Sequence, residues 1–305
     1  MLGKGLARWI ASVIALLILI LFGALLTVSY RQAQDLVYYP PENRSVLEET
    51  PADFGLVFDD VLVSSADGYT LFGWYIPSQN GAAVMLQHGY KSDRSEMLEE
   101  AAMLVRHGYG VLLSSIRAHD MNPGELIAFG LHEMPDFDAW FNYLQLREDV
   151  DPGRIGLLGN SLGGTMAIQY AAGNQAVSAL VAHSAFSSMR DTIDTSIGYY
   201  TGLPAFPFAS LIRFWAEREV GGSIDEINAI ARIGQLSPRP VLLLHSTSDV
   251  VISSQSGELL FTAAGEPKQL WQVDGVEHAS FDTQLGEEFE QRIVGFFDQY
   301  LLGER

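Results

Sequence analysis

Residues 155–164 read Ile-Gly-Leu-Leu-Gly-Asn-Ser-Leu-Gly-Gly, an apolar run that passes through Gly159-Asn160-Ser161-Leu162-Gly163 into the helix-length stretch 162–172. The run predicts a buried strand and the stretch a helix, so Ser161 sits on the turn between them. Such a turn forces strained dihedrals and close approach of neighbouring backbone, which demands small residues two positions before and two after. Gly159 and Gly163 meet that demand, and Gly164 follows. Ser161 then projects above the carboxyl edge of a sheet, with a helix N-terminus beneath it that favours developing negative charge.

A serine hydroxyl becomes nucleophilic only beside a base, and the base needs a third group to orient it. After the apolar run 241–244 comes His245-Ser246-Thr247-Ser248-Asp249, and after 270–273 comes Asp274-Gly275-Val276-Glu277-His278. Asp249 and His278 therefore fall on loops at the same sheet edge as Ser161, in the chain order Ser, Asp, His. Asp274 lies four residues before His278, but Asp-Gly there reads as a plain turn, so Asp249 is the preferred acid. Asp191 and Asp194 are a third choice. His107, His132, His183 and His245 have no partner pattern and read as structural. Metal-binding spacing such as H-x-H or H-E-x-x-H is absent, as is a strand-linked G-x-G-x-x-G, so neither metal nor dinucleotide cofactor is expected.

Outward from this centre, short apolar runs alternate with helix-length stretches, the pattern of an α/β fold with a mostly parallel sheet and helices on both faces. Residues 61–64 and 71–76 read as an opening hairpin around Ala66-Asp67-Gly68, and further strands are predicted at 83–86, 111–113, 155–158, 180–182, 241–244 and 270–273. Helices are predicted at 96–107, 134–145, 162–172 and 287–302. The rhythm breaks at about 186–237, too long for an ordinary connection and rich in Tyr, Phe, Gly and Pro. This segment reads either as extra helices on the body or, the preferred reading, as a helical cap over a pocket.

Together these motifs resemble the α/β-hydrolase superfamily from about residue 55 onward, and within it the esterase, lysophospholipase and dienelactone-hydrolase-like branch, several members of which carry an N-terminal anchor. The resemblance implies acyl transfer by a Ser161, Asp249, His278 triad. Gln87-His88-Gly89-Tyr90 matches the family's oxyanion loop, which implies the backbone N–H groups of Tyr90 and Leu162 as oxyanion donors; His88 would order that loop. One segment departs from the family: Ser115-Ile116-Arg117-Ala118-His119-Asp120 stands where Asp-x-Arg-Gly-His-Gly is common. We read it as structural support beside the pocket.

Composition bounds the rest. The 305 residues hold no cysteine, which excludes disulfides and a thiol nucleophile, and 37 acids against 18 bases give a net charge of −19, which opposes nucleic-acid binding. Residues 1–31 contain Lys4, Arg8 and Arg31 and no acid, leaving the remainder at −22. The uncharged run 10–28 would span roughly 28 Å as a helix, close to the bilayer core of roughly 30 Å. It predicts a signal anchor over residues 1–31, with the catalytic domain (32–305) extracytoplasmic by the positive-inside rule. Secretion after cleavage and a buried core helix are the alternatives.

The expected activity is hydrolysis of a small-molecule carboxylic ester bearing an apolar acyl or alcohol group. Lysophospholipase, monoacylglycerol lipase, peptidase and thioesterase activities are alternatives on the same fold. An anchored, non-catalytic binding protein is the alternative of another class.

Overall fold

Strands that are apolar throughout must be covered on both faces. In the structure, a computed structural model describing residues 2–303, that holds for every central strand. Among the described residues the strands are β1 (Asp59–Ser64), β2 (Thr70–Ile76), β3 (Ala83–Gln87), β4 (Gly110–Ser114), β5 (Ile155–Asn160), β6 (Ala179–His183), β7 (Val241–Ser246) and β8 (Lys268–Val273). They form one sheet in the order β1-β2-β4-β3-β5-β6-β7-β8. β1 pairs antiparallel with β2 and β2 with β4, and all remaining pairs are parallel. β3 to β7 are buried along their whole lengths, whereas the edge strands β1 and β8 are mostly exposed or half-buried.

The helices are α1 (Leu2–Val37), α2 (Leu98–Arg106), α3 (Met134–Gln145), α4 (Leu162–Gly173), α5 (Met189–Thr201), α6 (Ala205–Val220), α7 (Ala229–Ile233), α8 (Gln255–Ala263), α9 (Phe281–Leu285) and α10 (Glu287–Phe297). Alternate strand residues feed two cores. Ala83, Met85 and Leu157 pack with Trp140 of α3 and Met166 of α4 on one face. Val84, Leu86 and Leu158 pack with Leu104 of α2 and Ile293 and Phe297 of α10 on the other. This is an α/β-hydrolase fold: a mostly parallel sheet between two helical layers.

Several boundaries differ from those read in the sequence. The helix expected from residue 96 opens as a 3-10 turn, Arg94–Met97, because Asp93 captures the Ser95 N–H at 2.9 Å, and α2 proper starts at Leu98. α10 ends at Phe297 and widens into a π turn over Asp298–Leu302. The segment 186–237 divides: α5 and α6 form a hairpin, while α7 returns to pack against α4.

α1 holds the largest difference. The helix passes the expected boundary at residue 31 without a break and docks its last turns on α6. Ser29, Ala33 and Val37, one helical turn apart, are fully buried. Tyr30 meets Trp215 edge to face at 5.3 Å, and the Tyr38 hydroxyl donates to Glu219 at 2.9 Å. Its N-terminal part is bare: Leu6, Trp9, Leu21 and Phe22 are each more than half exposed. The helix is long and apolar enough to cross a membrane.

Candidate active site

The strand-to-helix turn after β5 places Ser161 at φ 52°, ψ −114°, a left-handed conformation that only surrounding structure can enforce on a serine. The Ser161 N–H donates to the His183 carbonyl at 2.8 Å, fixing the turn against β6. A Cβ at Gly163 would lie 2.2 Å from the Gln87 carbonyl oxygen, and one at Gly159 2.5 Å from the Gly163 carbonyl. The small residues thus let α4 begin directly under the β3 loop.

The β7 and β8 loops converge on the same point. His278 Nε2 lies 2.9 Å from Ser161 Oγ, and His278 Nδ1 lies 2.6 Å from Asp249 Oδ2. The Val251 and Ile252 N–H groups donate to Asp249 Oδ1 at 2.8 and 2.9 Å. Burial alone would raise the Asp249 carboxyl, but the hydrogen bonds from His278 and these two amides hold it below its ordinary range. Asp249 is therefore an ionised, buried acceptor beneath the imidazole. The His278 loop is itself braced: the Ala279 N–H donates to Ser184 Oγ at 3.2 Å, and Ser246 Oγ donates to the Val276 carbonyl at 2.5 Å.

Asp274 lies apart from this chain, accepting from Thr247 and Ser248 hydroxyls at 2.9 and 2.7 Å in a solvent-facing turn. Asp194 pairs with Arg213 on the surface, and Asp191 sits in the first turn of α5.

Opposite His278, Gly89 and Tyr90 leave β3 over the start of α4. The Gly89 N–H donates to Glu96 Oε2 at 3.0 Å, and the Lys91 N–H donates to His119 Nε2 at 3.2 Å, so the loop is held on either side of Tyr90. The Tyr90 N–H has no hydrogen-bond partner among the described residues. The Leu162 N–H heads α4, where no intrahelical acceptor exists. The Tyr90 ring stacks on Phe129 at 5.8 Å, and its hydroxyl donates to the Leu36 carbonyl at 2.7 Å, which ties the loop to the end of α1.

A pocket opens above Ser161, walled by Leu36, Tyr90, Phe129, Phe186, Tyr200 and Ile252. Burial pushes the Tyr200 hydroxyl up to about 12, so it stays protonated. Among the described residues no cluster of His, Asp and Glu has metal-binding geometry.

The departing segment after β4 is a brace. Arg117 Nη2 lies 2.5 Å from the fully buried Asp136, while its Nη1 lies 2.6 Å from Asp67. Asp120 pairs with Arg94 at 3.3 Å.

Two residues that shape the site carry no mark in the sequence: Glu96 holds the Gly89 amide, and Leu36 walls the pocket, each meeting the site only through tertiary contacts. His119, in the segment read as support beside the pocket, holds Lys91. His245, read as structural, lies buried near the end of β7 with Nε2 3.6 Å from Asp249 Oδ2.

A hydroxyl on a strained strand-to-helix turn, at the carboxyl edge of this sheet topology, defines an α/β hydrolase. Residues 128–304 match the prolyl oligopeptidase family, and the chain belongs to that family. It is 33% identical over 274 residues to the uncharacterized protein MT2364 of Mycobacterium tuberculosis, with 87% of each chain covered. Over 295 residues it is 26% identical to the alpha/beta hydrolase domain-containing protein WAV2 of Arabidopsis thaliana, covering 92% of each. Among solved structures, the Pyrococcus furiosus esterase Pf2001 superposes with a TM-score of 0.74 at 25% identity, covering 87% of this chain and 98% of that one.

Proposed function

We propose that the protein is a serine esterase in which Ser161 is the nucleophile, His278 the general base and Asp249 the group that fixes the imidazole. The observation that carries this reading is the continuous hydrogen-bonded chain from Asp249 through His278 to Ser161. With Nδ1–H donated to Asp249, His278 Nε2 is left to take the Ser161 proton as Oγ attacks the acyl carbonyl. The tetrahedral oxyanion lies against the Tyr90 and Leu162 N–H groups, each such donor contributing about 3–4 kcal/mol. His278 returns the proton to the leaving alkoxide. Water then attacks the acyl-enzyme with His278 again as base, releasing the acid and restoring Ser161.

The apolar walls of the pocket support a carboxylic ester with an apolar acyl or alcohol group, and the esterase Pf2001 is a structural neighbour. Residues 10–28 of α1 anchor the protein in a membrane, with the hydrolase domain on the extracytoplasmic side. The exposed apolar surface of that helix supports the anchor; recovery of a soluble mature chain beginning near residue 30 would count against it.

Labelling with a fluorophosphonate tests the chemistry. The reading expects modification at Ser161, loss of labelling in Ser161→Ala, and hydrolysis of p-nitrophenyl acetate. No labelling of the folded protein would favour a binding role, and turnover of peptide p-nitroanilides without ester turnover would favour a peptidase.

A further inference from the structure

The pocket above Ser161 borders a second cavity. Leu36, Met189, Thr192 and Tyr200 line the pocket, and the same four side chains line the second cavity, between α1, α5 and α6. Ile193, Ile197 and Ile212 supply its apolar walls, and each is less than 7% exposed. Gln32 of α1 and Ser196 of α5 also line it.

We infer that this groove is an acyl-chain subsite, that its occupant is the linear chain of a fatty-acyl ester, and that α1 is part of the substrate-binding site. The inference rests on the serine-esterase reading and adds the substrate class. Adjacency decides the direction of the chain: an acyl group bonded to Ser161 Oγ has its carbonyl in the first cavity and reaches the second past the side chains the two share, Leu36 and Tyr200 among them. Chemistry decides its character, since three buried isoleucines line the path and no charged side chain does.

Position decides its source. Leu36 and Gln32 lie one helical turn apart on α1, so the groove follows that helix back toward its N-terminus. Gln32 is only four residues beyond Val28, where the uncharged run ends, or roughly 6 Å of helix. The groove therefore extends toward the end of the apolar span, the place where a lipid-borne chain would enter.

The test uses the full-length protein and monomerically dissolved p-nitrophenyl acetate, butyrate and octanoate. From butyrate to octanoate, kcat/KM is expected to rise by up to about fourfold per methylene, the increment for burying each CH₂. Ser196→Phe and Gln32→Trp fill the groove from opposite walls, and each is expected to lower the octanoate-to-acetate ratio of kcat/KM at least tenfold. A smaller change in both variants, or a parent protein whose kcat/KM falls from butyrate to octanoate, overturns the subsite. Should Ser196→Phe fail to fold, Gln32→Trp decides, because Gln32 is only half-buried. Ser161→Ala separates the two readings: if it still hydrolyses the esters, the serine mechanism fails, and if it is inactive while Ser196→Phe and Gln32→Trp leave the ratio unchanged, only the groove does.

Discussion

His278 Nδ1 lies 2.6 Å from the buried carboxylate of Asp249, and that contact determines which ring nitrogen faces Ser161. Asn in place of Asp249 keeps the shape but presents an amide that can donate to Nδ1 and stabilise the wrong tautomer. Asp249→Asn is expected to lower kcat for p-nitrophenyl acetate about ten-thousandfold, and Ser161→Ala by about five to six orders of magnitude, with thermal unfolding little changed. A loss below a hundredfold for Asp249→Asn would remove Asp249 from the proposed mechanism.

Gly163 is expected to tolerate no side chain, because backbone oxygens of Gln87 and His88 would lie 2.2 and 2.5 Å from its Cβ and neither strand nor loop can yield. Gly163→Ala should cost about 3 kcal/mol or more by urea unfolding. Gly173→Ala, at the other end of α4 with open space around it, is the control and should be neutral or slightly stabilising.

Arg117 holds Asp136 in the interior. Arg117→Met strands that carboxylate and should destabilise by about 3–5 kcal/mol, while Arg117→Met combined with Asp136→Leu should recover much of the loss. Chemical denaturation of both variants checks this; equal stability of the single and double variants would contradict it.

Glu100 lies behind the site, fully buried, and burial followed by the negative charge of Asp282 pushes its carboxyl up to about 8. The folded state thus holds this proton more tightly than the unfolded chain, whose glutamate has an ordinary value of 4.5. Stability should therefore fall as pH rises from about 4.5 to 8. Glu100→Gln removes the titration, so its melting temperature should exceed the parent's clearly at pH 9 and by much less at pH 5. Parallel curves across that range would refute the assignment.

The central strands were readable because each is apolar on both sides, and the loops bearing Ser161, Asp249 and His278 because each leaves such a strand at the same end. Local sequence carried that information. Glu96 and Leu36 reach the site from the turn before α2 and the end of α1, and nothing in their own neighbourhoods marks them. The extent of α1 was obscured for a related reason: past residue 31 its polar and apolar residues alternate at helical spacing, but the partner that buries Ser29, Ala33 and Val37 is α6, some 180 residues away.

The continuity of α1 from Leu2 to Val37, with its final turns seated on α6, has a kinetic meaning once the span is embedded as proposed. A body on a slack leash would tumble and meet substrate in three dimensions. A body fixed to a rigid shaft holds the groove mouth at one height and one tilt above the lipid, so encounter becomes a search within a plane. The concentration that saturates the enzyme is then a surface density, in molecules per unit area of membrane, and diluting the vesicles at constant lipid composition should leave the turnover of membrane-borne ester unchanged.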